Sequence, residues 1–276
     1  MITSTIETFV LKLLSEIGLL AQHLVRVRAQ FHAAKIAKSH AQNDDDTATI
    51  LFDWSENYNL RQTKEENGAY YNTQNVSLHT GYVYTKYEKC SFASISDETN
   101  HMAEVAWTSL QPLLTKLIEQ QHKIQIYLIS DSLVSQYRNK TSAFMIKQYC
   151  KRDKIDINWI FYESGHGKGI PDAVGASLKN KFDQIVVYYS DDAFQAASDL
   201  VTTVKNDTET KLFLYEKSDI DVLKEQIPKL KAVKGTARMY ELIGRKNEQL
   251  YMANPGFLGM LDLIYGGWDQ DETYGG

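Results

Sequence analysis

The chain opens on a helical rhythm. Ile6, Phe9, Val10, Leu13, Leu14, Ile17, Leu20, Ala21, Leu24 and Val25 recur three and four residues apart, which sets them along one broad face of a helix. Lys12, Glu16, Gln22 and His23 interrupt the run, so it reads as neither a membrane span nor a secretory signal. The pattern predicts an amphipathic helix that continues through Arg26, Arg28, Lys35 and Lys38 with a basic face. The Asn43-Asp44-Asp45-Asp46 run stops it.

Beyond that stop the rhythm shortens. Residues 47–53 (TATILFD) are apolar and β-branched and predict a buried strand. Residues 75–86 and 88–96 predict two more strands. A helix follows over 102–121, carrying Val105, Leu110, Leu113, Leu114 and Leu117, with Pro112 expected to kink or break it. Residues 123–130 (KIQIYLIS) and 156–163 (DINWIFYE) predict strands, separated by a short helix over 142–150. Pro171 suits the first turn of a helix over 172–182, and 185–189 predicts a further strand. The remainder gives a helix, a strand (212–216), a helix (220–230) and a hairpin (237–243 with 249–252).

That order is β-β-β-α-β-α-β-α, which predicts an α/β mixed sheet with helical crossovers. The expected organisation is an N-terminal amphipathic helical segment (1–46), a central α/β domain (47–190), a small α/β extension (191–254) and an acidic irregular tail (255–276). At 276 residues, 43% hydrophobic and 24% charged, the chain can build a substantial core. Cys90 and Cys150 are too few for a disulfide framework or a structural zinc site, which fits an intracellular setting.

A net charge of −5 argues against a protein that simply coats nucleic acid. The charge is segregated, however. Residues 121–181 hold ten Lys or Arg against five acids, and the candidate chemistry lies in that region.

Two segments share one design, Ile50-Leu51-Phe52-Asp53 and Leu128-Ile129-Ser130-Asp131: an apolar strand ending in an aspartate. Ligands of open α/β sheets gather beyond the carboxyl ends of strands. Hard oxygen donors placed there suit Mg²⁺ or Mn²⁺. Either aspartate alone is better explained as a loop cap, but the two together, in this element order, point to a metal. A third segment, Glu163-Ser-Gly-His166-Gly-Lys168-Gly-Ile-Pro171-Asp172, followed by Gly175 and Lys179, allows close backbone approach but lacks the spacing of a nucleotide-binding P-loop. Asp172 can be a plain acid at a helix start. Glu163, at a strand end, competes with it as a third carboxylate. His79, His101 and His122 show no ligand spacing and are expected on surfaces. Tyr82, Tyr84 and Tyr87 read as strand aromatics, and Glu104 as a lesser candidate acid.

Taken together, Asp53-Trp-Ser-Glu56-Asn57-Tyr58, Ser130-Asp131-Ser132 with Ser135-Gln136-Tyr137-Arg138-Asn139-Lys140, and Gly165-His-Gly-Lys-Gly-Ile-Pro-Asp172 with Gly175 and Lys179 resemble the catalytic region of transposon-derived proteins of the DDE-type transposase and integrase superfamily. The resemblance covers about residues 26–192. It implies a ribonuclease H-like fold and a triad of Asp53, Asp131 and Asp172, separated by 78 and 41 positions. It further implies two Mg²⁺ or Mn²⁺ ions that clamp a DNA phosphodiester, with His166 and Lys168 at the phosphate or leaving group. Arg138, Asn139, Lys140, Lys168 and Lys179 would then contact nucleic acid. DNA as partner, self-association, no membrane and a nuclear location go with it. A decayed domain that binds without cutting and an unrelated α/β ligand-binding protein stay open.

Overall fold

The computed structural model describes residues 5–60, 75–163, 169–188, 194–231 and 239–253. Within them α1 (Ile6–Asn43) precedes three strands, β1 (Thr47–Asn59), β2 (Asn75–Tyr84) and β3 (Lys89–Ser96). Then follow α2 (Ala103–Thr115), β4 (Gln125–Ser130), α3 (Lys140–Asp153), β5 (Asp156–Phe161) and α4 (Ile170–Tyr188). The chain continues through α5 (Ala197–Val204), β6 (Lys211–Leu214), α6 (Lys217–Gln226), β7 (Glu241–Gly244) and β8 (Leu250–Ala253).

All eight strands join one mixed sheet in the order β6-β3-β2-β1-β4-β5-β7-β8. β1, β2 and β3 form an antiparallel meander. β4 and β5 run parallel to β1 through helical crossovers. The segment expected as a small extension contributes to both edges of this sheet: β6 lies parallel on β3, and the β7–β8 hairpin lies on β5.

The central strands are apolar on both faces because both are covered. Ile50 and Phe52 of β1, Leu128 of β4 and Trp159 of β5 pack with Trp107, Leu110 and Ile146 from α2 and α3. The alternate positions Leu51, Ile129 and Ile160 meet Ala34 and Ala37 of α1. Leu78 and Ile95 of β2 and β3 meet Leu178 and Phe182 of α4. Each such side chain, fully buried, contributes about 1.5–3 kcal/mol relative to exposure.

Three expectations change. Ile185 to Tyr188 is the last turn of α4 and not a strand. Ile185 extends the stripe of Val174, Leu178 and Phe182, and that packing outweighs the β-propensity of an Ile-Val-Val run. Position 189 lies outside the described residues. Pro112 does not break α2, which continues past it into a wider π-helical turn over Lys116–Gln120. His79 is fully buried in the core, not on the surface. His101 is stacked on Trp54, with ring centroids 4.1 Å apart, and His122 is exposed at a positive φ of 53°.

Helix α1 is one continuous rod with two different environments. Its second half lies on the sheet through Val27, Gln30, Ala34, Ala37 and Ala41. Alanines allow close approach, and the Thr49 hydroxyl donates to the Ala37 carbonyl at 2.8 Å. Its first half projects beyond the body. By length and composition alone α1 contains a window apolar enough to cross a membrane, although Lys12 and Glu16 fall within that apolar run.

Candidate active site

Parallel pairing sets up the site. β1 and β4 are in register through Leu51 and Ile129. Asp53 and Asp131 each follow two residues later, so both carboxylates stand at the same level beyond the carboxyl end of that pair. Asp53 is half-buried in β1, opposite Thr80 of β2. Asp131 begins the loop after β4, where its Oδ1 accepts from the Leu133 N–H at 3.2 Å.

Asp172 arrives from the other side, in the first turn of α4. Two features bring α4 close. Thr80 Oγ1 donates to the Pro171 carbonyl at 2.9 Å, which pins the start of the helix to β2. One turn on, Gly175 lies so near β1 that a Cβ there would meet Ser55 Oγ at 2.5 Å. Only glycine lets the helix sit at this depth. Asp172 itself is exposed, with Oδ2 accepting from the Gly169 N–H at 3.0 Å.

The electrostatics link all three acids. Burial, then the charge of Asp131, and more weakly that of Asp172, push the Asp53 carboxyl up to about 7. Burial also raises Asp131, against the Leu133 N–H and the nearby Arg138 guanidinium. A pair of desolvated carboxylates that repel each other is the arrangement a cation relieves. Among the described residues, however, no group of three or more His, Cys, Asp or Glu is drawn into a metal-holding cluster.

Glu163 takes a different place. Arg26 Nε of α1 donates to its Oε1 at 2.6 Å, His23 lies 3.7 Å away, and its backbone N–H donates to Gln30 Oε1 at 2.8 Å. It ties α1 to the end of β5.

A buried relay backs Asp53. The Tyr137 hydroxyl lies 3.4 Å from Asp53 Oδ1 and 3.1 Å from His79 Nε2. His79 Nδ1 lies 2.6 Å from Ser109 Oγ, which is 2.8 Å from the Ala106 carbonyl. Burial holds the imidazole neutral, lowering it to about 3, so it carries one N–H. Two polarities satisfy the chain. With Asp53 ionised, Ser109 donates to His79, His79 to Tyr137 and Tyr137 to Asp53. With Asp53 protonated, every donor reverses and Ser109 donates to Ala106.

Other expected contacts already have protein partners. Arg138 donates to the Met239 carbonyl at 3.1 Å, although its Nε is buried and unpaired. Asn139 caps α3, accepting from the Ser142 N–H at 3.0 Å, and Lys140 donates to the Leu230 carbonyl at 3.0 Å. Burial lowers Lys179, with Glu56 as its charge neighbour. Glu104 Oε1 accepts from Thr141 at 3.3 Å. Tyr84 is buried with its ring tilted at 50° to that of Tyr82, whereas Tyr87 is exposed. His166 and Lys168 lie outside the described residues.

Tyr137 and Ser55 fell within the quoted motifs without a role of their own, and His79 and Thr80 were not legible as site residues. Only the apolar neighbours of His79 in a buried strand hinted that it lay inside.

The donor set fits a hard divalent cation. Asp53 and Asp131 supply oxygens at one level, and Asp172 is within electrostatic reach of Asp53. A family model described as a domain of unknown function (DUF8701) matches residues 32–255. No curated protein and no solved structure matches the chain.

Proposed function

We propose that this chain, which belongs to the DUF8701 family, is a divalent-cation-dependent DNA phosphodiester-processing protein with a ribonuclease H-like fold, akin to DDE-type transposases. The observation that carries the proposal is the parallel register of Leu51 with Ile129, which sets Asp53 and Asp131 at one level beyond the end of the β1–β4 pairing. Asp172, from the helix after β5, lies within electrostatic reach of Asp53. The central strand order β3-β2-β1-β4-β5, antiparallel on one side of β1 and parallel on the other, supports the finer fold assignment.

Asp53 and Asp131 would hold Mg²⁺ or Mn²⁺, in a two-ion site completed by Asp172. Such ions activate an attacking oxygen and stabilise the leaving one. The chain's own residues prepare that place. Tyr137, donating to ionised Asp53, fixes its carboxylate. Thr80 and Gly175 set the depth of Asp172. Arg138, half-buried beside Asp131, supplies positive charge toward a phosphate. His166 and Lys168, on the glycine-rich approach to α4, would contact the phosphate or leaving group. A nuclear location accompanies this activity.

The test is a nicking assay on supercoiled plasmid with Mn²⁺. Wild type should nick it, and Asp53→Asn and Asp131→Asn should not. Equal nicking by all three proteins would refute the assignment.

One observation favours a second reading. The three acids are not drawn into a tight cluster. A domain that retains DNA without cutting it would bind the plasmid in the same assay and leave it supercoiled.

A further inference from the structure

The first half of α1 carries a pattern that the body does not use. Ile6, Val10, Leu13, Ile17, Leu20, Leu24 and Val27 are spaced 4-3-4-3-4-3, a heptad seam through three repeats. Val10, Ile17 and Leu24 take the a positions, and Ile6, Leu13, Leu20 and Val27 the d positions. Thr8, Ser15 and Gln22, diametrically opposite at f, are all polar. Phe9 at g, with Leu14 and Ala21 at e, widens the seam.

All of the seam except Val27 is in water. Ile6, Val10, Leu13, Ile17, Leu20 and Leu24 are 43–85% exposed. With Phe9, Leu11, Leu14, Leu19 and Val25, eleven large apolar side chains stand exposed on one arm. Monomers rarely expose an apolar patch of more than a few hundred Å². The eight of these at a, d, e and g positions offer an area of the order of one partner's share of a standard interface, roughly 800 Å², while Leu11, Leu19 and Val25 fall at b and c.

The seam also ends where the body begins. Val27 is the first buried residue of α1. Beyond it the spacing runs on through Phe31 at a and Ala34 at d, but Ala34 is buried against the sheet, Arg28 and Lys35 take the e positions and Lys38 the next a position. The part of the repeat from Ile6 to Leu24 is therefore the part that is free of the body.

We propose that the first half of α1 pairs with the same segment of a second copy of this chain as a parallel two-stranded coiled coil. Val and Ile at two of three a positions, with Leu at two of the d positions, favour two parallel strands. In that register Phe9 meets the partner's Leu14 across the seam, so the flanks add apolar contact. A lipid bilayer suits the arm less well. Lys12 and Glu16 would lie in hydrocarbon, where charged side chains are strongly disfavoured, and a helix surrounded by lipid has no need of a polar f stripe. The pairing is independent of the carboxylate site.

Sedimentation equilibrium of the full chain, with engineered cysteines, tests this. Wild type should sediment at twice the chain mass. Leu13→Glu with Leu20→Glu should give the single-chain mass with an unchanged near-UV circular dichroism spectrum, while Ser15→Glu should stay dimeric. Under mild oxidation Leu13→Cys should cross-link to itself and Ser15→Cys should not. A wild-type monomer, a dimer indifferent to the Leu13 and Leu20 changes, or cross-linking through Ser15 as readily as through Leu13 would overturn the proposal. So would a monomer that floats with phosphatidylcholine vesicles, since that result assigns the arm to lipid. Cation binding should be the same in the monomeric variant, which separates this proposal from that of the active site.

Discussion

Asp53 and Asp131 stand at the same level on adjacent parallel strands, each two residues past the paired Leu51 and Ile129. Asp131 caps its own loop through the Leu133 N–H, but Asp53 is buried with that like charge beside it. Their repulsion is a cost that the fold bears unless a cation is present, and several measurable consequences come from it.

The first concerns pH. Asp53 titrates near 3.8 when unfolded and at about 7 in the fold. The folded state therefore keeps a proton that the unfolded chain gives up, and this carboxyl's contribution is lost as pH rises from 3.8 to 7. In a chelator, Asp53→Asn should stabilise the protein, and the gain should grow with pH by up to about 1.4 kcal/mol per unit. Urea unfolding midpoints at pH 4.5, 5.5 and 6.5 measure it. A gain that does not vary with pH would show that Asp53 is not perturbed.

His79 slopes the other way. Its imidazole titrates near 6.5 when unfolded and at about 3 in the core. Below pH 6.5 the unfolded chain takes a proton that the fold refuses, so stability falls with acid toward pH 3. His79→Gln should flatten that loss in the same urea series, at a fixed cost from the altered core.

Removing the Tyr137 hydroxyl breaks the relay. Tyr137→Phe leaves the buried His79 Nε2 without a partner and should cost about 1–3 kcal/mol. Cation affinity should fall only modestly, because Asp53 keeps its charge and loses one hydrogen bond. A loss of binding as complete as that of an Asp53 variant would make Tyr137 a ligand instead.

Gly175→Ala tests how α4 presents Asp172. The added Cβ would stand 2.5 Å from Ser55 Oγ, and such overpacking costs about 1–3 kcal/mol. Helix α4 should lift off β1, weakening the influence of Asp172 on the site. Adding Ser55→Gly removes the clash and should restore most of the stability. No recovery in the double variant would mean that Gly175 matters for another reason.

The sheet was legible because its central strands are apolar on both faces and each ends in a distinct break. Asp53 and Asp131 stood out for the same reason, a charge directly after a buried run. The end of α4 was misread because Ile185, Val186 and Val187 favour strands in isolation, and only their register against Leu178 and Phe182 makes them helical. His79 was hidden because burial of a polar strand residue depends on Ser109 and Tyr137, 30 and 58 positions away. Thr80 and Gly175 act across β2, β1 and α4, a juxtaposition that no local pattern encodes. The heptad in α1 was visible as helical spacing, but its exposure was not.

A divalent cation held by Asp53 and Asp131 is the premise of the proposed activity. Isothermal titration of Mn²⁺ into wild type, Asp53→Ala and Asp131→Ala tests it most directly. Saturable binding to wild type that disappears in both variants is the expected result. Equal Mn²⁺ affinity in all three proteins, or no binding to wild type, would contradict it.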